Sequence, residues 1–219
     1  MSEIPVLDPV EQRVLGCLIE KERTTPEYYP LTLNALRNAC NQKSNRNPVM
    51  QLDDADVQRA IDELRIQGLV MRAADSARAT KYRHTLAEKM DLLEDEIAVL
   101  CELLIRGPQT VGELRTHCAR MEDFATTDDV QAVLHRLARR DPALVQELPR
   151  RPGQKEARWA PLLGGPIDVE AWEQAQADVA PTVISRDERI DALEAEVAAL
   201  KARVDELDAA FAAFRQQFE

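Results

Sequence analysis

One pattern occurs twice within residues 8–163, and it constrains this chain more than any other feature. Val14-Leu15 is matched by Val99-Leu100, and Leu36-Arg37 with Cys40 by Leu114-Arg115 with Cys118. Val57-Gln58 with Leu64 is matched by Val130-Gln131 with Leu137, and Leu69-Val70 by Leu144-Val145. The spacing between partners falls from 85 to 73 and ends at 75, so the loops differ in length while the elements keep their order. Two copies of several elements each make a duplicated domain. A solenoid instead stacks at least ~3 simpler units to bury a core.

Each copy reads as three helices followed by two short strands. Asp8-Pro9-Val10-Glu11 is a helix start: Asp8 caps, Pro9 fits the first helical position and Glu11 closes a capping box. Val14, Leu15, Leu18 and Ile19 then share one helical face. A second helix is predicted over 32–41, and a third from Asp53 to a stop at Gly68. Strands follow over 69–73 and 80–84. In the second copy the helices are predicted over 91–106, 111–120 and 127–140, with Thr110-x-x-Glu113 and Thr126-x-x-Asp129 as caps. Strands over 144–148 and 157–160 flank the Pro152-Gly153 turn. Three helices and a hairpin form the winged-helix plan, in which the second and third helices are a helix-turn-helix and the hairpin is the wing. Aromatic content of 4% and only 7 glycines argue against an all-β alternative.

The chain after residue 163 changes character. Ile190, Leu193, Val197, Leu200, Val204, Leu207, Phe211 and Phe214 alternate spacings of 3 and 4, a heptad seam. β-branched a positions with Leu at d favour a parallel dimer, and the flanking pairs Arg189–Glu194, Glu196–Lys201 and Arg203–Asp208 are opposite in sign. The rival reading is a helix packed back on the chain's own domains. The expected fold class is mainly α with small β-hairpins: two tandem winged-helix (helix-turn-helix) domains, 1–86 and 87–163, a linker over 164–185, and a long C-terminal helix or coiled coil over 186–219. The expected assembly is a homodimer.

The run Glu20-Lys21-Glu22-Arg23-Thr24-Thr25-Pro26-Glu27-Tyr28-Tyr29-Pro30-Leu31-Thr32-Leu33-Asn34-Ala35-Leu36 continues to Ala39-Cys40-Asn41-Gln42-Lys43-Ser44-Asn45-Arg46-Asn47-Pro48-Val49. It resembles the signature of the YceH family, bacterial proteins with a domain of unknown function. The resemblance spans about residues 4–163 and leaves the tail outside. It implies a tandem winged-helix fold and no assigned reaction. The family's Asp at position 47 is Asn here, which keeps the turn chemistry possible. Tyr28, Tyr29, Asn41, Gln42, Lys43, Ser44, Asn45 and Arg46 are the motif's candidate site. They can form an anion-recognising loop, or satisfy the loop's own backbone and pack over helix ends.

Charge decides what such a fold can bind. The chain has 39 acidic and 28 basic residues and a net charge of −11. Residues 1–86 are net 0, 87–163 net −3 and 164–219 net −8, so the acidity belongs mostly to the tail and does not exclude nucleic acid. The local obstacle is sharper: the presumed recognition helices open on Asp53, Asp54 and Asp56, and on Asp128 and Asp129. Candidate phosphate contacts are Arg59, Arg65, Arg136, Arg139 and Arg140 on helices, and Arg78, Lys81, Arg83, Arg150, Arg151, Lys155 and Arg158 on the wings. The reading is non-enzymatic, DNA-associated binding or regulation through these cations, with double-stranded DNA as partner. The alternative is a protein–protein scaffold that does not bind DNA. The sequence holds no GxSxG, HExxH or phosphate-cradling glycine loop, and no cofactor or catalytic residue is expected. Cys17, Cys40, Cys101 and Cys118 read as buried reduced thiols, with a zinc site at His117-Cys118 as the rival. No apolar run is long enough to span a membrane, and the N-terminus lacks signal-peptide character, so a cytoplasmic location is expected.

Overall fold

The computed structural model describes residues 5–73, 79–150 and 156–168. The heptad residues from Ile190 to Phe214, most of the linker, and Arg78, Arg151 and Lys155 lie outside the described residues. Among the described residues the chain is mainly helical, with seven α-helices and two small antiparallel sheets.

Helix α1 (Pro9–Thr24) begins with the capping box its sequence predicts. Asp8 accepts from the Val10 and Glu11 amides at 2.7 and 2.8 Å, and Glu11 accepts from the Asp8 amide at 2.9 Å. Such a cap contributes ~1 kcal/mol. A 3-10 turn (Pro26–Tyr28) and strand β1 (Leu31–Thr32) lead into α2 (Leu33–Cys40), which Thr32 caps. Helix α3 (Asp54–Ile66) opens on a box of Asp53 and Asp56. The chain leaves it through Gly68, whose φ of 67° lies in the left-handed region that glycine adopts without strain. Strands β2 (Val70–Arg72) and β3 (Lys81–His84) pair antiparallel with Val70 opposite His84, and β1 adds to the other side of β3.

The second half repeats this order: α5 (Glu94–Arg106), α6 (Val111–Cys118), α7 (Thr127–Ala138), β4 (Val145–Leu148) and β5 (Arg158–Pro161). Gln109 pairs with Trp159 of β5 just before α6, the place β1 takes before α2. The sequence predicts one helix from residue 91. The structure instead has a short α4 (Leu86–Met90), a break at Asp91 with φ 48°, and α5 starting at Glu94. The left-handed Asp91 ends one helix, so the next must start anew. Neither β1 nor the Gln109 bridge is long enough to leave an alternating pattern in the sequence.

Among the described residues two apolar clusters form the interior, and α5 contributes to both. Its Ile97, Cys101, Leu104 and Ile105 pack with α1, α2 and α3, while Val99, Leu100 and Leu103 pack with α6, α7 and Trp159. A helix wedged between two clusters needs apolar residues nearly all round, which is why IAVLC and LLI crowd this segment. Helices α1 and α5 meet closely at Gly16, whose carbonyl accepts from the Cys101 thiol at 3.2 Å. After β5 the chain returns to the first cluster: Leu163 is buried in it and accepts from the Leu7 amide at 2.7 Å.

Candidate interaction surfaces

The starts of α3 and α7 are acidic and exposed. Asp53 and Asp56 cap α3 reciprocally, and Asp129 closes the α7 box with Thr126, so these carboxylates have local structural work. Asp54 receives Arg37 from α2 at 3.0 Å. Asp128 is exposed at the first turn of α7.

The helix cations face their own carboxylates. Arg65 pairs with Asp62 at 3.1 Å, and Arg59 with Asp56 at a looser 3.6 Å. Arg136 binds Asp95, and also Glu96 at 3.2 Å. Arg140 reaches Glu96 at 3.7 Å and the Met90 carbonyl. These last contacts tie α7 to the region where α5 begins. Arg139 is exposed and meets no carboxylate among the described residues. On the hairpins, Arg83 is held by Glu88 at 2.7 Å. Arg158 grips Glu113 with both nitrogens at 2.7 and 2.9 Å and donates to the Pro108 carbonyl. Lys81 and Arg150 meet no carboxylate among the described residues. Neither does the exposed Arg72 at the end of β2, a hairpin cation that sequence reading did not single out.

The motif loop turns inward. Arg46 is 6% exposed; its guanidinium spans both Glu20 oxygens at 3.2 and 2.5 Å and donates to the Ala39 carbonyl at 3.0 Å. Burial pushes the Glu20 carboxyl up, but Arg46 outweighs it and holds it below the usual range. Asn41 exchanges two 2.8 Å bonds with the backbone of Leu52. Asn45, at φ 58°, accepts from Arg106 at 2.5 Å. The Asn47 amide donates to the Ile105 carbonyl at 3.0 Å and its side chain to the Arg106 carbonyl at 3.3 Å. Two of the C-terminal carbonyls of α5, which have no partner within the helix, are thereby satisfied. That second bond needs a donor, which Asn47 has and an ionised Asp lacks. Gln42 is half-buried, while Lys43 and Ser44 are exposed. Tyr28 is 70% exposed, whereas the Tyr29 hydroxyl accepts from the His84 amide at 2.8 Å. The loop is thus the clamp by which the first half holds the end of α5, and the charge of Arg46 is spent inside it.

Deeper still, Arg13 is 1% exposed and reaches only carbonyls: Cys40 at 3.1 Å, Pro48 at 2.7 Å and Ile105 at 3.4 Å. Glu102 is fully buried, with Arg106 on one oxygen at 2.9 Å and no partner on the other. Burial is the chief reason its carboxyl is pushed up to about 7. Sequence reading missed this polar interior. The signal was the spacing of Arg13, Cys17 and Glu20 by 4 and 3, one face of a helix whose other inward face is apolar.

In the second half, a cleft of about 340 Å³ opens between α6, α7 and the hairpin, bordered by Val111, Asp128, Gln131, Glu147, Arg150 and Trp159. Trp159 is 3% exposed and stacks at a tilt against His135, 5.8 Å between ring centres. The His117-Cys118 pair divides: His117 bonds Gln109, and the Cys118 thiol donates to the Ala98 carbonyl at 3.7 Å. No group of three His, Cys, Asp or Glu residues is placed to hold a metal ion among the described residues. No helix there is long and apolar enough to cross a membrane.

A family model described as "Protein of unknown function, DUF480" matches residues 7–154. The chain is 54% identical over 216 residues to a UPF0502 protein of Pelobacter propionicus, covering 98% of this chain and 99% of the relative. It is 53% identical over 216 residues to one of Geobacter sulfurreducens, and 53% identical over 193 residues to one of Koribacter versatilis, which covers 88% of this chain. The alignments over 216 residues run through the tail, so the likeness reaches beyond residue 163, where the motif resemblance stops. Matched over most of its length by the family's model and by UPF0502 relatives at half identity or better, this chain belongs to the DUF480 family.

Proposed function

We propose that this chain is a non-enzymatic protein-interaction module: two winged-helix units that present the exposed faces of α3 and α7 to a protein partner, paired into a dimer by the C-terminal heptads. One observation carries the choice of protein over duplex. The cations expected to meet phosphate from the recognition helices are largely engaged by the chain's own carboxylates, Arg65 by Asp62 and Arg136 by Asp95 and Glu96, while the helix starts expose Asp54 and Asp128. A polyanion approaching those starts meets like charge, and every one of those arginines except Arg139 must first leave a partner. A protein with basic and apolar side chains meets neither obstacle.

A second reading keeps duplex DNA, bound through the wings alone. Arg72, Lys81 and Arg150 favour it, because no described carboxylate neutralises them. Wing cations placed this way can touch backbone phosphates without a recognition helix entering a groove.

A photo-crosslinking residue in place of Asp128, in the full-length chain expressed in its native host, separates the two. The protein reading predicts discrete protein adducts. Nucleic-acid adducts without protein adducts would reject it.

A further inference from the structure

The duplication lets the cleft of the second half be compared with its counterpart in the first. Trp159 on β5 pairs with Glu147 across the hairpin and with Gln109 ahead of α6. Tyr82 on β3 pairs in the same way with Arg72 and with Leu31 ahead of α2, so it stands where Trp159 does. In the first half the Tyr82 hydroxyl donates to the Gln58 side chain on α3 at 3.4 Å. In the second half Gln131, the counterpart of Gln58, pairs with His135 at 2.8 Å. Trp159 is 3% exposed and lines the cleft, and its indole N–H has no hydrogen-bond partner among the described residues. A buried indole N–H ordinarily finds an acceptor.

Charge differs between the halves as well. Asp128, Glu147 and Glu156 line the cleft and are exposed, and none pairs with a cation among the described residues. By the register of the third helix and of the hairpin, the first half has Ala55, Arg72 and Ala79 at these places. The α7 cap uses Asp129 rather than Asp128. These carboxylates therefore serve no capping bond, and Arg150 is the cation that lines the cleft with them.

We propose that this cleft receives an arginine side chain from a partner protein. The proposal rests on the protein-partner reading of α7 and adds the partner's chemistry. The carboxylates draw the guanidinium, whose planar fork of donors can serve several acceptors at once. Val111 and Trp159 supply an apolar wall for its methylenes. The indole N–H donates to a backbone carbonyl of the same segment. A free polyamine has the charge but no acceptor for the indole. Duplex DNA and the chain's own tail, net −8, have the wrong sign.

The test titrates the full-length protein into a fluorescein-labelled peptide, Gly-Ser-Arg-Leu-Arg-Ser-Gly, and reads anisotropy. A peptide with citrulline in place of arginine keeps the shape without the charge. The arginine peptide should bind saturably and the citrulline peptide should not. Glu147→Gln/Glu156→Gln should weaken binding roughly tenfold, because two exposed ion pairs are lost. Glu27→Gln/Asp123→Asn removes the same charge from exposed sites elsewhere and should change it by less than about twofold. Arg150→Ala should tighten binding about two- to fivefold, since a like charge leaves the cleft. No saturable binding, equal binding of the citrulline peptide, equal weakening by the two double variants, weaker binding by Arg150→Ala, or spermidine binding as tightly as the peptide would each overturn the proposal. The double variants leave Asp128 in place. Failure of the peptide alongside protein adducts from the crosslinker at 128 would overturn the arginine chemistry and leave the protein reading standing, so the two failures are distinguishable.

Discussion

At the scale of single residues, the interior is where this chain departs from a plain hydrophobic core. Arg13, Glu20, Arg46 and Glu102 are each less than a tenth exposed, and they join the first half to the end of α5. Glu102 gives the clearest prediction. Its carboxyl rises from an ordinary 4.5 to about 7 in the folded chain, chiefly through burial, so folding favours its protonated form. A group raised in this way stabilises the fold fully below about 4.5 and loses that contribution as pH climbs through about 7. Glu102→Gln keeps the shape and cannot ionise. Relative to wild type it should gain stability as pH rises across that window, by roughly 3 kcal/mol in total, read by denaturant unfolding at several pH values. A difference between the two proteins that does not change with pH would show that Glu102 does not titrate there. The motif residues were legible as unusual, with an anion site and a structural role both open. A polar run such as Asn41 to Asn47 looks the same in sequence whether it faces an anion or a helix end. What separates the two is the position of the Ile105 and Arg106 carbonyls, which only the packing of α5 supplies.

At the scale of elements, the sequence carries most of the fold. Caps at Asp8, Thr110 and Thr126 sit where the sequence places them, and Thr32 and Asp53, where the sequence starts two helices, cap them as well, because a side chain that accepts a bond from an amide two or three residues on is a purely local device. The helical stripes and both hairpins follow from periodicity. Non-local features were not legible: the two-residue β1, the Gln109–Trp159 bridge and the break at Asp91 depend on what the neighbouring strand or helix does. The α1–α5 contact belongs here too, and Gly16 tests it. A Cβ at Gly16 would lie 2.5 Å from Ile105 Cγ2 and 3.2 Å from Leu104 Cβ, atoms fixed close to the backbone of α5. Gly16→Ala gains up to ~1 kcal/mol of helix propensity. Forcing the two helices apart should cost more, leaving the variant about 1–3 kcal/mol less stable by thermal or denaturant unfolding. A more stable variant would mean that α1 and α5 do not approach this closely.

At the scale of the whole molecule, three features bear on function: a paired interior, acidic exposed starts of α3 and α7, and heptad spacing in the tail sequence. Residues 186–219 are read from sequence as the dimerising element. The full-length chain should therefore sediment as a dimer at micromolar concentration, and a chain ending at residue 185 as a monomer. A full-length monomer would remove the coiled coil from the proposal without touching the α3 and α7 surfaces. The central claim is that those surfaces serve protein rather than duplex DNA. Titrating the full-length protein against a labelled duplex, first at low salt and then at moderate salt, tests it most directly. A true duplex binder releases counterions, so its affinity falls steeply as salt rises. The account predicts no saturable binding even at low salt. Saturable binding that weakens steeply with salt, and is lost in Arg72→Ala/Arg150→Ala, would contradict it and make the wings the functional surface.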